Sequence, residues 1–225
     1  MLELKNVYKS YGEGGQQQSV LEDVSVVFDD NQFIALLGKS GSGKSTILNI
    51  LSGLDCPDKG SVIFSGKSLY DRLDSELSQI RRIYFGFIFQ SFNLLSNLTA
   101  YENIEYPLYL LKLSSTERRR RTLDILDHLQ LTQFQHKLPG QLSGGQRQRV
   151  AIGRALVKSP KYIFADEPTA NLDEKTGHEI IELIKEMQKY YGTTIIYVTH
   201  DSEITEVADK CLFLTNRKIE KYVHP

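Results

Sequence analysis

Residues 38–46 read Gly-Lys-Ser-Gly-Ser-Gly-Lys-Ser-Thr. Glycines at Gly38, Gly41 and Gly43 let a backbone curl tightly and aim its N–H groups inward, where they can hold an anion. Lys39, Ser40, Ser42 and Thr46 complete the loop. Lys44 stands where an ammonium reaches the β- and γ-phosphates of a nucleotide, and Ser45 where a hydroxyl can ligate Mg²⁺. The spacing G-x-x-x-x-G-K-[ST], after an apolar run and before a helical pattern, is that of a nucleoside triphosphate site. A plain glycine-rich turn would not need both neighbours.

Hydrolysis also needs an acid on the metal and a group that orients water. Four largely apolar residues, Tyr162 to Ala165, are followed by Asp166 and Glu167. At the carboxyl end of a parallel strand, both acids would face the crevice in which α/β sheets bind ligands. Asp166 would hold Mg²⁺, directly or through water, and Glu167 is the candidate general base. The plainer alternative is an acidic turn at a strand end. Two more polar residues end apolar runs, Gln90 after Tyr84–Phe89 and His200 after Thr193–Thr199. A lone glutamine or histidine is usually structural, yet strand ends could gather both around one γ-phosphate. A second phosphate cradle is also encoded. In Leu142-Ser-Gly-Gly-Gln, Ser143 can cap a helix beginning near Gly144, and its hydroxyl with the N–H groups of Gly144, Gly145 and Gln146 can hold an anion.

The elements that must carry these residues follow from periodicity. Residues 2–8 and 20–28 are rich in Val, Leu and Phe and read as strands around a Gly/Gln-rich hairpin end at residues 10–19. The run 33–38, apolar throughout and closed by Gly38, is the mark of a strand buried on both faces. A helix from Lys44 follows, closed by Gly53, then a short strand at 61–64 and another over Ile83–Gln90. From about Thr99 to Leu131 the period turns helical. Ser114 with Glu117 has the pattern of a capping box, and Leu123, Leu126 and Leu129 repeat at helical spacing. The Arg118–Arg121 run reads as a solvated helix face. Strand patterns resume at 161–166 and 193–200, separated by a helix over 174–191. Strands alternating with helices, around an inserted helical block, predict an α/β fold with a mostly parallel sheet, an N-terminal antiparallel β part and an α-helical subdomain. One domain over residues 1–225 is expected, with 1–90 and 160–225 forming the nucleotide-binding core and about 91–159 the helical part.

Composition removes other classes. The 225 residues carry a net charge of −1, which argues against a basic face for nucleic acid. Two cysteines, far apart, make neither a disulfide scaffold nor a metal set, and fit a reducing compartment. No signal-peptide pattern or membrane-spanning run is visible.

Together these residues resemble the ATP-binding cassette (ABC) ATPases along nearly the whole chain. The resemblance rests on the phosphate loop, the glutamine-loop residue Gln90, Leu142–Gln146 as the family's signature, Phe164–Pro168, the turn Asn171–Asp173 and the switch histidine His200. It implies ATP and Mg²⁺ as ligands, the latter held by Ser45, Gln90 and Asp166, and Tyr11 as the ring that stacks on adenine. It also implies a head-to-tail homodimer in which Ser143–Gln146 of one chain covers the nucleotide on the phosphate loop of the other, with Asp173 near the same interface. That accounts for two cradles in one chain. Residues 86–108 and 166–173 are similar to the group containing lipoprotein-release ATPases, macrolide-exporter cassettes and division-associated cassettes. Lys39 stands where this group often has proline, and Gly153 where alanine is common, at a helix-propensity cost of about 1 kcal/mol. The expected role is the ATP-hydrolysing subunit of a membrane exporter or extraction system, peripheral on the cytoplasmic face and docked to a separate permease. A signalling or division-associated ATPase that moves no cargo is the alternative.

One stretch offers more apolar side chains than a single helix face can bury: Phe92, Leu94, Leu95, Leu98, Tyr101, Ile104, Tyr106 and Leu108 to Leu111. Either these fill the core of the helical part, or some of them line a groove for a helix of the membrane partner.

Overall fold

The computed structural model describes residues 1–12 and 17–222. Along the chain lie β1 (Leu2–Tyr11), β2 (Gln18–Phe28), β3 (Phe33–Leu37), α1 (Lys44–Leu51), β4 (Lys59–Phe64), β5 (Lys67–Ser68), α2 (Asp74–Tyr84) and β6 (Phe85–Phe89). They are followed by α3 (Ala100–Leu110), α4 (Ser115–His128), α5 (Gly144–Leu156), β7 (Tyr162–Asp166), α6 (Glu174–Tyr191), β8 (Thr194–Thr199), β9 (Lys210–Thr215) and β10 (Lys218–Tyr222). The centre of the Gly/Gln-rich hairpin end, residues 13–16, lies outside the described residues.

Two compact units emerge, residues 1–81 with the stretch from Thr194 onward, and residues 82–193. Within the first, β2-β1-β4-β5 form an antiparallel sheet. Alternation along β1 buries Leu2 and Leu4, and a register shift at Asn6, with φ 47, brings Val7 into the interior after them. The same unit holds β3 between β8 and β9, parallel to both, with β10 antiparallel at the edge of β9. Every residue of β3 and of β8 is buried, so the unbroken apolar runs do mark strands covered on both sides. α1 turns Ile47, Leu48, Ile50 and Leu51 inward.

In the second unit β6 and β7 pair in parallel, and α3, α4 and α5 pack on one another. Here β6, β7 and α6 group with the helices, because α5 also lies against β6. A Cβ at Gly86 would come within 2.9 Å of the Ala155 carbonyl. The expected strand over Ile83–Gln90 is shorter than its apolar composition suggests. Ile83 and Tyr84 end α2, whose own period is carried by only two buried residues, Leu77 and Ile80, too few for the sequence to reveal it.

Capping chemistry also departs from expectation. Ser114 accepts the Glu117 N–H at 3.3 Å, but the Glu117 carboxylate binds Arg120 and Arg121, so only half of the capping box forms. Arg118 leaves the solvated face. Its guanidinium sits 3.8 Å from the Tyr109 ring centroid and 3.1 Å from a Glu105 carboxylate oxygen.

Gly153 has a packing reason. A Cβ there would meet Leu129 Cδ1 at 2.9 Å and Ile104 Cδ1 and Ile125 Cγ2 at 3.0 Å, three side chains of a closed core. The weak helix former lets α5 approach α3 and α4. Gly153→Ala is therefore expected to leave the melting temperature no higher, despite its better helix propensity of about 1 kcal/mol. Gly153→Val should lower stability by roughly 1–3 kcal/mol through overpacking, read by thermal or urea unfolding.

Candidate functional site

The first unit carries the phosphate loop. β3 ends at Leu37, the chain bends through Gly38 to Gly43, and α1 begins at Lys44. Gly43 has φ 104, and a Cβ there would meet Val20 Cγ1 at 2.7 Å, so both backbone and space demand glycine. No acidic residue occupies the first turn of α1, which leaves the positive end of the helix dipole uncompensated for an anion. Lys44 is buried, its Nζ donating to the carbonyls of Gly38 at 2.8 Å and Lys39 at 3.0 Å. Those bonds hold the ammonium over the loop. Ser42 Oγ is buried without a hydrogen-bond partner, the kind of orphan that a bound oxyanion satisfies.

His200 belongs to the same unit. Leu37 and Thr199 are register partners in parallel strands, so Gly38 and His200 leave the sheet side by side. Tyr11 is there too. Its ring is partly exposed, and its hydroxyl donates to Asp55 at 2.6 Å.

The second unit repeats the arrangement with acids. Phe89 is the register partner of Asp166, so Gln90 and Glu167 emerge together at the carboxyl ends of β6 and β7. Asn171 Nδ2 donates to the Gln90 carbonyl at 3.0 Å and ties the Gln90 backbone to the turn after Glu167. Glu167 adopts φ 43, a left-handed conformation that a side chain bears only under constraint.

Ser143 caps α5 in full. Its Oγ accepts the Gln146 N–H at 3.2 Å, and Gln146 Oε1 accepts the Ser143 N–H at 2.9 Å. Ser143 remains exposed, with Gly144, Gly145 and Gln146 half-buried. A Cβ on Gly145 would meet Thr176 Cγ2 at 2.7 Å, so the start of α6 crowds this turn. Asp173 caps α6 by accepting the Thr176 N–H at 3.0 Å, and that N–H with the Thr176 side chain holds its carboxyl below the usual range. The oxygens of Ser45, Gln90 and Asp166 are hard donors of the kind Mg²⁺ takes, with Ser45 on the first unit and the other two on the second.

The stretch after Gln90 divides as its excess of apolar residues requires. Ile104 and Leu108 are buried, while Leu95, Tyr106, Tyr109 and Leu110 are exposed. Asn103, fully buried, fixes the turn before α3. Its Nδ2 donates to the carbonyls of Leu95, Leu98 and Thr99 at 3.1, 2.9 and 3.0 Å, and its Oδ1 accepts the Leu95 N–H at 2.8 Å. Beside this turn opens a groove of about 300 Å³ whose walls include Phe87, Phe89, Leu95, Tyr106 and Pro107. Arg154 and Lys158 are the basic residues in its lining, and burial pushes the Lys158 ammonium down to about 8.

Comparison with known proteins settles the family. Residues 21–170 match the family described as "ABC transporter". The chain belongs to that family. Among curated relatives, an uncharacterized ABC transporter ATP-binding protein of Methanocaldococcus jannaschii, MJ1508, is 42% identical over 224 residues, covering 100% of both chains. YbbA of Escherichia coli K12, likewise described, is 42% identical over 98% of this chain and 97% of its own. A solved structure of MJ0796, described as a dimeric post-hydrolysis state bound to ADP and Pi, matches with a TM-score of 0.87 at 42% identity over 98% of each chain. CbiO1 of Clostridium perfringens, described as part of the transporter complex cbiONQ, matches at 0.88 with 29% identity over 97% of this chain and 86% of that one. The chain is an ABC ATPase with the fold expected from its alternating pattern. Among the described residues, no helix of this ABC ATPase is long and apolar enough to cross a membrane.

Spacing alone did not reveal Asp55, which lies 44 residues from the Tyr11 hydroxyl it holds, nor Asn103, and the resemblance named Asn171 only as part of the turn Asn171–Asp173, without its bond to Gln90. Each of these bonds is a fold contact, for which the linear sequence carries no signal. The strained Glu167 backbone yields a test. Glu167→Gly removes a left-handed side chain and should melt no lower than the parent, whereas Glu167→Val, β-branched in the same conformation, should melt several degrees lower by calorimetry.

Proposed function

We propose that this ABC ATPase is the ATP-hydrolysing subunit of a membrane exporter or of a lipoprotein- or antimicrobial-extraction system, and that it drives its membrane partner by ATP-dependent closure of a homodimer. The carrying observation is the second cradle. Ser143 and Gln146 close a complete capping box, and Gly145 admits no side chain, so an exposed helix N-terminus is built in detail in a chain that already carries the loop Gly38–Thr46. A nucleotide brought by a second copy supplies the use. The dimeric MJ0796 structure with ADP and Pi supports that assembly.

In this reading the loop Gly38–Thr46, with Lys39, Ser40 and Ser42, wraps the phosphates, and Lys44 neutralises the β- and γ-oxygens. Tyr11 stacks on the adenine. Ser45, Gln90 and Asp166 hold Mg²⁺, which when bound supplies charge neutralisation at the phosphates. Glu167 takes the proton of the attacking water, and His200 binds the γ-phosphate from the strand end beside the loop. Ser143, Gly144, Gly145 and Gln146 of the opposite copy grip the same phosphate, with Asp173 behind them. Hydrolysis removes the ligand that favoured closure, and the pair opens. The permease enters through the groove beside Leu95. Its apolar walls suit one face of a short helix, and the two cations suit an acidic residue on that helix. The transporter complex to which CbiO1 belongs supports a membrane partner of this kind.

Two experiments test the reading. Chains bearing Lys44→Ala and chains bearing Ser143→Arg are mixed. Their heterodimer has one doubly damaged site and one intact site, so mixing should raise ATP hydrolysis above either variant alone. Heterodimers that form yet recover nothing would remove the shared site. Separately, Leu95→Asp should keep the melting temperature and isolated ATPase rate near the parent's while losing copurification with the permease in membranes. Normal membrane recruitment of that variant would move docking elsewhere.

A further inference from the structure

The ring of Tyr11 is not held by packing alone. Its hydroxyl donates to Asp55 Oδ2 at 2.6 Å and lies 3.5 Å from Thr46 Oγ1, in the first turn of α1. The other Asp55 oxygen accepts Lys9 Nζ at 2.8 Å and the Cys56 N–H at 2.8 Å. Lys9 Nζ also donates to the Cys56 carbonyl at 2.8 Å and sits 4.9 Å from the Tyr11 ring centroid. Asp55 in turn is fixed to the far end of α1. The N–H groups of Leu54 and Asp55 both donate to the Asn49 carbonyl, and the Tyr70 hydroxyl lies against the carbonyls of Ile50 and Asp55. Burial disfavours the Asp55 charge. The Lys9 and Tyr11 hydrogen bonds, the Lys9 charge and the Cys56 N–H outweigh it and keep the carboxyl below its usual range. The whole assembly lies within the first unit, and α1 is the helix whose other end forms the phosphate loop.

We infer that Asp55 and Lys9 are positioning residues for nucleotide recognition: they tether the Tyr11 hydroxyl to α1 and so set the aromatic platform at a fixed span from the phosphate loop. The inference rests on the reading above that Tyr11 stacks on adenine. A free tyrosine on a strand end samples several rotamers, and a bound base must then immobilise it. A tethered ring has lost that freedom before the nucleotide arrives, and the tether also fixes which base-to-phosphate distance is met without distortion. The loss on breaking it falls on binding of the base, not on the chemistry at the γ-phosphate.

The test measures KM and kcat for ATP, and competitive inhibition by inorganic tripolyphosphate, which has phosphates and no base. Tyr11→Phe keeps the ring and removes the tether, Asp55→Ala removes its anchor, Asp55→Asn keeps an acceptor oxygen, and Tyr11→Ala removes the platform. Tyr11→Phe and Asp55→Ala should each raise KM roughly 3–10-fold with little change in kcat, the weight of one immobilised side chain. The double variant should be no worse than either alone, because both delete one interaction. Asp55→Asn should recover part of the loss. Tripolyphosphate inhibition should stay at the parent value throughout. If Tyr11→Ala raises KM while Tyr11→Phe and Asp55→Ala do not, the tether is overturned and the platform stands. If Asp55→Ala weakens tripolyphosphate as much as ATP, Asp55 acts on the phosphate loop and the tether is again overturned. An unchanged KM in Tyr11→Ala overturns the adenine platform and the tether with it.

Discussion

Parallel pairing in a fixed register sets Leu37 opposite Thr199 and Phe89 opposite Asp166, and the polar chemistry of each unit depends on it. A strand covered on both faces carries few polar side chains, and those of β8, Thr194, Tyr197 and Thr199, are buried with it, so the first polar residue to escape that cover stands where the strand ends. When two such strands run in the same direction, those residues leave at the same edge. Gly38 emerges beside His200, and Gln90 beside Glu167. An antiparallel neighbour would have sent each pair to opposite ends. The apolar interior thus sorts the polar groups before any hydrogen bond holds them.

Hydrogen bonds then fix what the strands deliver, and they do so through side chains remote from the chemistry. Asn171 holds the backbone of Gln90, and Asn103 fixes the turn at Leu95 with every amide group engaged. Arg154, desolvated so that its guanidinium is pushed below its usual pKa, donates to the Phe92 and Asn93 carbonyls and pins the loop that follows Gln90. Phe92 and Asn93 both have positive φ, so this loop is held in a conformation that it would not take freely. Such restraint suits a segment between Gln90 and an exposed groove: a rigid connection passes on a displacement that a slack one absorbs.

Helix ends are treated unevenly. Thr99, Ser143 and Asp173 cap their helices with side-chain oxygens, while α1 begins at a left-handed glycine with no side-chain cap. A capped terminus has some of its orphan N–H groups satisfied and gives stability. An uncapped one keeps them for a ligand. α1 is of the second kind. At Ser143 the cap takes the Gln146 N–H, and the hydroxyl itself stays exposed at the helix start.

Sequence order alone determined the residues that act at their own position. The glycine spacing of the phosphate loop, the apolar runs of β3, β7 and β8 with their polar ends, and the serine cap of α5 are local patterns, because each depends on backbone geometry within a few residues. Where two weak signals overlapped the sequence misled: apolar Ile83 and Tyr84 resemble strand residues, yet α2 claims them. Arg118 resembled its arginine neighbours, yet only its side chain faces Glu105 and Tyr109. Gly153 gave a helix-propensity cost in the sequence and a reason only in the structure, since the atoms that exclude a Cβ belong to α3, to α4 and to Leu129 just past its end. Likewise Asp55 lay in an ordinary turn until folding brought it to Tyr11. Hydrogen bonds and close packing between residues tens of positions apart leave no period to read, so only the tertiary structure could decide which side chains hold the chemical ones in place.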